Sequence, residues 1–152
     1  MVYSEMPLSH VLERGVPYIF ANGDFRGSFV VRIEDGDLVP GAVRNPQLGS
    51  DAVVGFGAVC THMGCVLLAE GDTARLHYQP GSQGVPEGAV CGPCPCHGTT
   101  FDLLKAGLVV VGPAAQNLPE LELQVQGNSL VATGWLASSR QAVDPTEENW
   151  PN

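Results

Sequence analysis

The sequence predicts an all-β fold, an antiparallel sandwich or barrel. Long apolar segments with helical periodicity are missing, and nearly every apolar run is short and bounded by Gly, Pro, Asn or Asp. Glycine (19) and proline (12) are also well above ordinary usage, as in a turn-rich chain. Taken in order, Leu8 to Glu13 is the one short helical candidate, with Ser4 as a cap just upstream. Ser28 to Ile33 is a β-rich run that ends at the turn signal Glu34-Asp35-Gly36-Asp37. Ala52 to Val59 is a second run, broken by Gly55 and Gly57. Arg75 to Gln79 and Leu108 to Val111 are further strands. Leu121 to Val125 alternates apolar and polar, and Gly127-Asn128 turns it into Leu130-Val131-Ala132, the clearest hairpin in the chain. Between the strands, Gln79 to Gly88 reads as an exposed loop. Residues 1–142 fit one domain, and 143–152 form an acidic, Pro-interrupted tail.

Composition excludes several classes of function. At 152 residues with 44% hydrophobic content, the chain can bury a core. A net charge of −9 leaves no basic stripe to neutralise phosphates, which argues against a nucleic-acid partner. The acidity serves solubility, or steering toward a positively charged protein. No apolar run approaches the roughly 20 residues that span a bilayer. The chain opens directly in domain-like sequence, so an N-terminal anchor or export segment is expected to be missing from it.

Two segments carry the chemistry: Cys60-Thr61-His62-Met63-Gly64-Cys65 and Cys94-Pro95-Cys96-His97-Gly98-Thr99-Thr100-Phe101-Asp102. Each offers a cysteine and a histidine to one metal centre, and each holds a second cysteine. A structural zinc site of two Cys and two His is one option, though Cys-x-His and Cys-x-x-His are unusual zinc half-sites and two cysteines would be left over. The other is a [2Fe–2S] centre, with Cys60 and Cys94 on one iron and His62 and His97 on its partner. Cys65 and Cys96 would then be available to cross-link the loops.

The pair Cys-Thr-His-x-Gly-Cys and Cys-Pro-Cys-His-Gly resembles the Rieske family, and Gly112-Pro113-Ala114 resembles the proline loop that covers its cluster. The resemblance spans residues 52 to 136, with a cluster-binding region of two loops at about 58–116. It implies a [2Fe–2S] cofactor with ligands Cys60, His62, Cys94 and His97, a Cys65–Cys96 disulfide, and one-electron transfer without catalysis of its own. Neutral imidazoles in place of thiolates leave the cluster less negative, moving potentials from about −400 mV to roughly −150 to +300 mV. Gly64 and Gly98 are expected to let backbone N–H groups reach the sulfurs, and Pro113 to cover the cluster. Respiratory members carry Ser and Tyr hydroxyls where this chain has Thr99 and Phe101. Phe101 has no hydroxyl to give, so the implied potential is lower than theirs. Reduction places negative charge beside His62 and His97, so electron uptake should couple to proton uptake.

The run from Cys60 through Pro119 is similar to arsenite oxidase small subunits, which implies a molybdenum-containing large subunit as partner. It is also similar to cytochrome bc and b6f Rieske proteins, which implies a cytochrome b, a c-type cytochrome and quinol. An oxygenase ferredoxin is the alternative, and the Cys65/Cys96 pair argues against it. A disulfide favours an oxidising compartment, so the expected place is the periplasm or the outer face of the cytoplasmic membrane, or an equivalent thylakoid lumen. Cys91 reads as a spare loop thiol, His10 and His77 as ordinary surface or strand histidines, Trp135 as strand-end core and Trp150 as a pin for the tail.

Overall fold

A computed structural model describes residues 3–61, 64–112 and 116–136. Among these, ten strands and three short 3-10 turns occur and no α-helix, so the fold is all-β. The strands are β1 (Ser4–Pro7), β2 (Tyr18–Ile19), β3 (Phe29–Ile33), β4 (Ala52–Phe56), β5 (Leu76–Gln79), β6 (Gly88–Cys91), β7 (Thr100–Asp102), β8 (Leu108–Val111), β9 (Leu121–Gln126) and β10 (Ser129–Trp135). They form three antiparallel sheets, ordered β1-β10-β9, β2-β3-β4 and β5-β6-β7-β8. No described helix is long and apolar enough to cross a membrane.

The β2-β3-β4 sheet is covered on both faces, which is why β3 and β4 read as nearly continuous apolar runs. Period-two alternation sorts their side chains. Phe29, Val31, Ile33, Val54 and Phe56 join a core cluster that also contains Cys60, Cys91, Cys94, Phe101, Leu103 and Leu118. Val30 and Val53 face the opposite way, into a cluster with Leu8, Phe20, Phe25, Leu121, Leu123 and Leu130. The Phe56–Glu120 bridge and the Gly57 N–H donating to the Pro119 carbonyl (2.9 Å) stitch the end of β4 to the start of β9. At the other end of β4, Asp51 is buried between the guanidinium groups of Arg14 and Arg32, each at 2.7 Å. The hydrogen bond from Arg14, then that from Arg32, holds the Asp51 carboxyl below its ordinary range, against the opposing effect of burial.

Most predicted strands are present, and the β9–β10 hairpin turns at Gly127 with φ 62°. Ser4 is not a helix cap. It sits in β1, where its hydroxyl donates to the Asn22 carbonyl (2.5 Å) and accepts from the Phe25 N–H (2.8 Å). The predicted helical piece is a 3-10 turn, Leu8–Val11, whose start has no side-chain cap because Pro7 precedes it. The 79–88 segment is exposed, as read, but its base is pinned. Glu87 accepts from the Glu34 and Asp35 N–H groups (2.6 and 3.1 Å) and from the Tyr78 hydroxyl (2.7 Å), while Glu34 accepts from the Gly81 N–H (3.1 Å). These carboxylates clasp the β5–β6 hairpin to the turn after β3.

Candidate metal centre

Two loops with one hydrogen-bond skeleton build the site. In the first, between β4 and β5, the Cys60 N–H donates to the Cys65 carbonyl (2.8 Å) and the Gly64 N–H to the Cys60 carbonyl (3.0 Å). In the second, between β6 and β7, the Cys94 N–H donates to the Thr99 carbonyl (2.8 Å) and the Gly98 N–H to the Cys94 carbonyl (2.9 Å). The glycines have φ of 78° and 82°, a left-handed geometry that side chains resist. Their N–H groups close the turns on the carbonyls of Cys60 and Cys94.

The repeated skeleton puts Cys60 and Cys94 at equivalent first positions, and both are buried at the edge of the main core. Neither is in a disulfide, whereas Cys65 and Cys96 are joined, with Cα atoms 6.5 Å apart. The Cys94 Sγ lies within 4.8 Å of both disulfide sulfurs. That trio is not a ligand set as it stands, because disulfide sulfurs are not thiolates. After Cys94, residues Pro95, Cys96 and His97 are exposed. The second loop thus keeps its first sulfur inside and its imidazole outside. His62 and Pro113 lie outside the described residues.

A third segment ties the loops together. The buried Thr61 hydroxyl donates to the Gln116 carbonyl (2.6 Å), reaching from the first loop to residues that follow β8. On the second loop, Gly112 packs against the fully buried Thr99, where a Cβ would stand 2.4 Å from the Thr99 Cα. Only a glycine with φ of 101° allows that approach. Sequence reasoning passed over Thr61 and Gln116, since a threonine hydroxyl bonded to a distant carbonyl leaves no local pattern. It also placed Cys91 in a loop. Cys91 ends β6 opposite Leu76 and Phe101 and is fully buried. Burial pushes its thiol up to about 12, Arg75 opposes this, and the neighbouring Cys60 and Cys94 add to it. A neutral, buried thiol of this kind is inert. Phe101, also fully buried, sits in β7 between Cys91 and Val109.

The donor chemistry fits an iron–sulfur centre: two buried cysteines outside the disulfide at matched turn positions, an exposed imidazole, and a disulfide that clips the loops. An all-β domain with such a pair of loops defines a class, a thiolate-and-imidazole metalloprotein. The family model of the Rieske [2Fe-2S] domain matches residues 25–122, and the chain belongs to that family, whose domain binds a [2Fe–2S] cluster. It is similar to an iodate reductase subunit, IdrB, of Pseudomonas sp. (strain SCT), 37% identical over 63% of this chain and 44% of that protein. It is also similar to the cytochrome b6-f complex iron-sulfur subunit of Prochlorococcus marinus (strain NATL1A), 29% identical over 74% of this chain and 57% of that one. The soluble domain of the Rieske protein II from Sulfolobus acidocaldarius aligns with TM-score 0.45 at 22% identity, covering 71% of this chain and 61% of that one. The chain thus spans about half the length of the curated relatives it matches.

Proposed function

We propose that this domain is the one-electron relay of an oxidoreductase complex, with Cys60, His62, Cys94 and His97 holding its [2Fe–2S] cluster. The observation that carries the reading is the burial contrast within the second loop: Cys94 inside, His97 outside. Such a cluster supplies a single-electron redox couple at moderate potential. The chain's own residues do the rest. The core around Cys60 and Cys94 keeps water from the thiolate side, while the His97 edge faces a partner. Val66, Val110 and Val111 are 46–59% exposed on the segments flanking the loops, an apolar rim suited to transient docking.

The partner we favour is the large subunit of a molybdenum-type oxidase or reductase: the resemblance of the two motifs to arsenite oxidase small subunits suggests the molybdenum, and the similarity to an iodate reductase subunit supports a place in a reductase complex. A second reading, quinol oxidation beside a cytochrome b, draws on the similarity to the b6-f subunit. For either, the Cys65–Cys96 disulfide supports a site outside the cytoplasmic membrane, in an oxidising compartment. The first test is content and colour. Purified protein should hold two irons and two acid-labile sulfides per chain and bleach on uptake of one electron. A colourless protein containing zinc would refute the reading. Affinity purification from the native source then separates the partners: a molybdenum-containing subunit supports the first, a cytochrome b the second.

A further inference from the structure

We propose that Cys94, when no cluster holds it, exchanges with the neighbouring disulfide, giving a Cys65–Cys94 bond and a free Cys96. The inference rests on Cys94 being a cluster ligand. Three observations lead to it. The Cys94 Sγ is within 4.8 Å of both sulfurs of the Cys65–Cys96 bond, and this group includes neither Cys60 nor Cys91. Cys94 is buried, and Cys96 is exposed. Finally, the first loop and the second are already drawn together by their shared contact with the segment after β8.

The step balances without an external oxidant. The Cys94 thiolate attacks the Cys65 sulfur, the S65–S94 bond forms as S65–S96 breaks, and Cys96 leaves as the new thiolate. One disulfide and three reduced cysteines are present before and after. The direction follows from position: Cys94, which enters the bond, is buried against the core, and Cys96, which leaves it, is exposed, so the sulfur released is the one that water reaches. Attack on the Cys96 sulfur would instead form a bond across Pro95, whose fixed φ resists so small a ring. Cluster occupancy would therefore protect the disulfide, and the disulfide would become a trap once the cluster is lost. An exchanged domain lacks a ligand, and reloading it requires a dithiol reductant to reopen the Cys65–Cys94 bond.

The full chain is stripped of iron by a chelator without added thiol, held anaerobically, then alkylated, digested and mapped by mass spectrometry over time. Peptides linked through Cys65–Cys94 should grow at the expense of Cys65–Cys96 in the stripped protein and stay absent from the loaded one. In parallel, aged stripped protein should take up iron and sulfide, read as visible absorbance, several-fold better after dithiothreitol than without it. Persistence of Cys65–Cys96 alone, with Cys94 fully alkylated, would overturn the proposal. So would equal reloading with and without reductant. Comparable amounts of links through Cys60 or Cys91 would overturn it too, since they mean general scrambling in an unfolded chain. The Cys94→Ser variant should keep the original link. Iron and sulfide content of the protein as purified tests the cluster reading separately, because exchange can be mapped whether or not that reading holds.

Discussion

The two faces of the β2-β3-β4 sheet are stabilised by different means. Against β1, β9 and β10 it packs through regular alternating side chains, with Val30 and Val53 meeting Leu121, Leu123 and Leu130, and the buried Asp51 pinned by two arginines at its end. Against the site sheet it meets short strands and turns, and the elements holding the loops are a disulfide, positive-φ glycines and single long-range hydrogen bonds. The first face draws its stability from repeated apolar burial, roughly 1.5–3 kcal/mol per large side chain. The second depends on a few irreplaceable contacts. Damage to one face should therefore separate stability from cluster retention in a way that damage to the other does not.

The largest separation should come from the disulfide. Removing it as Cys65→Ser together with Cys96→Ser frees a loop of sequence separation 31. The chain-entropy model puts the loss at about 3–4 kcal/mol. Denaturant midpoints should fall, and visible absorbance should disappear before far-UV β signal does. Simultaneous loss of both signals would mean the two faces unfold as one.

Asp51→Asn attacks the other face. Leaving Arg32 without its buried carboxylate should cost toward the lower end of roughly 3–5 kcal/mol, since Arg14 is half exposed. The loaded protein's absorption spectrum should not change. Because the folded state depresses the Asp51 carboxyl, its contribution is fully present above the ordinary carboxylate range. It is lost as pH falls through the folded value. Acid titration should therefore narrow the gap between wild type and variant.

Glu120, at the seam between the sheets, titrates in the opposite sense. Burial raises its carboxyl to about 7, although the Gly41 N–H donates to it at 2.6 Å. The folded state binds the proton more tightly than the unfolded one, so stability declines as pH rises from about 4.5 to 7. Glu120→Gln keeps an acceptor for Gly41 and should raise stability at pH 8 by on the order of 1–2 kcal/mol, with little change at pH 4. Equal effects at both pH values would refute the ionisation argument.

Much of the alternating face was legible in the sequence, because β3, β4, β9 and β10 are runs whose periodicity is set by burial. Strands β1, β2, β6 and β7 were not. The first contains Pro7 and two polar residues, and its Ser4 is buried only because Asn22 and Phe25 satisfy the hydroxyl. Strand β6 is a Gly-Ala-Val-Cys run hidden beside the second motif, which made Cys91 look like a loop residue. The site was legible in the opposite way, by motif and not by period. What stayed hidden there was the scaffold: Thr61 to Gln116, Gly112 on Thr99, and the Glu87 clasp all join residues that are far apart in the chain.

The two loops share one turn geometry, with Gly64 and Gly98 at φ of 78° and 82°. Among the described residues beyond its chain neighbours, no atom lies within 4 Å of a Cβ built on Gly98, so Gly98→Ala meets only the backbone penalty of a left-handed residue. That penalty is roughly 1–2 kcal/mol. Gly64→Ala, at nearly the same φ, should cost the same if the backbone alone decides. Denaturant unfolding of both variants checks this, and a difference above about 1 kcal/mol would mean that side-chain surroundings break the equivalence.

The smallest effect tests the boundary between the faces. Phe101 is fully buried between β6 and β8, in the core that also holds Cys60 and Cys94. Phe101→Tyr adds one hydroxyl next to that region. If the hydroxyl donates toward a cluster sulfur, it stabilises the reduced state and the midpoint rises by tens of millivolts, 59 mV being about 1.4 kcal/mol for one electron. If it finds only apolar neighbours, the variant loses stability and the midpoint stays where it was. A redox titration read beside a denaturation curve distinguishes the two. A raised midpoint with stability retained would show that Phe101 sets the potential from the core side, away from the exposed edge that carries His97.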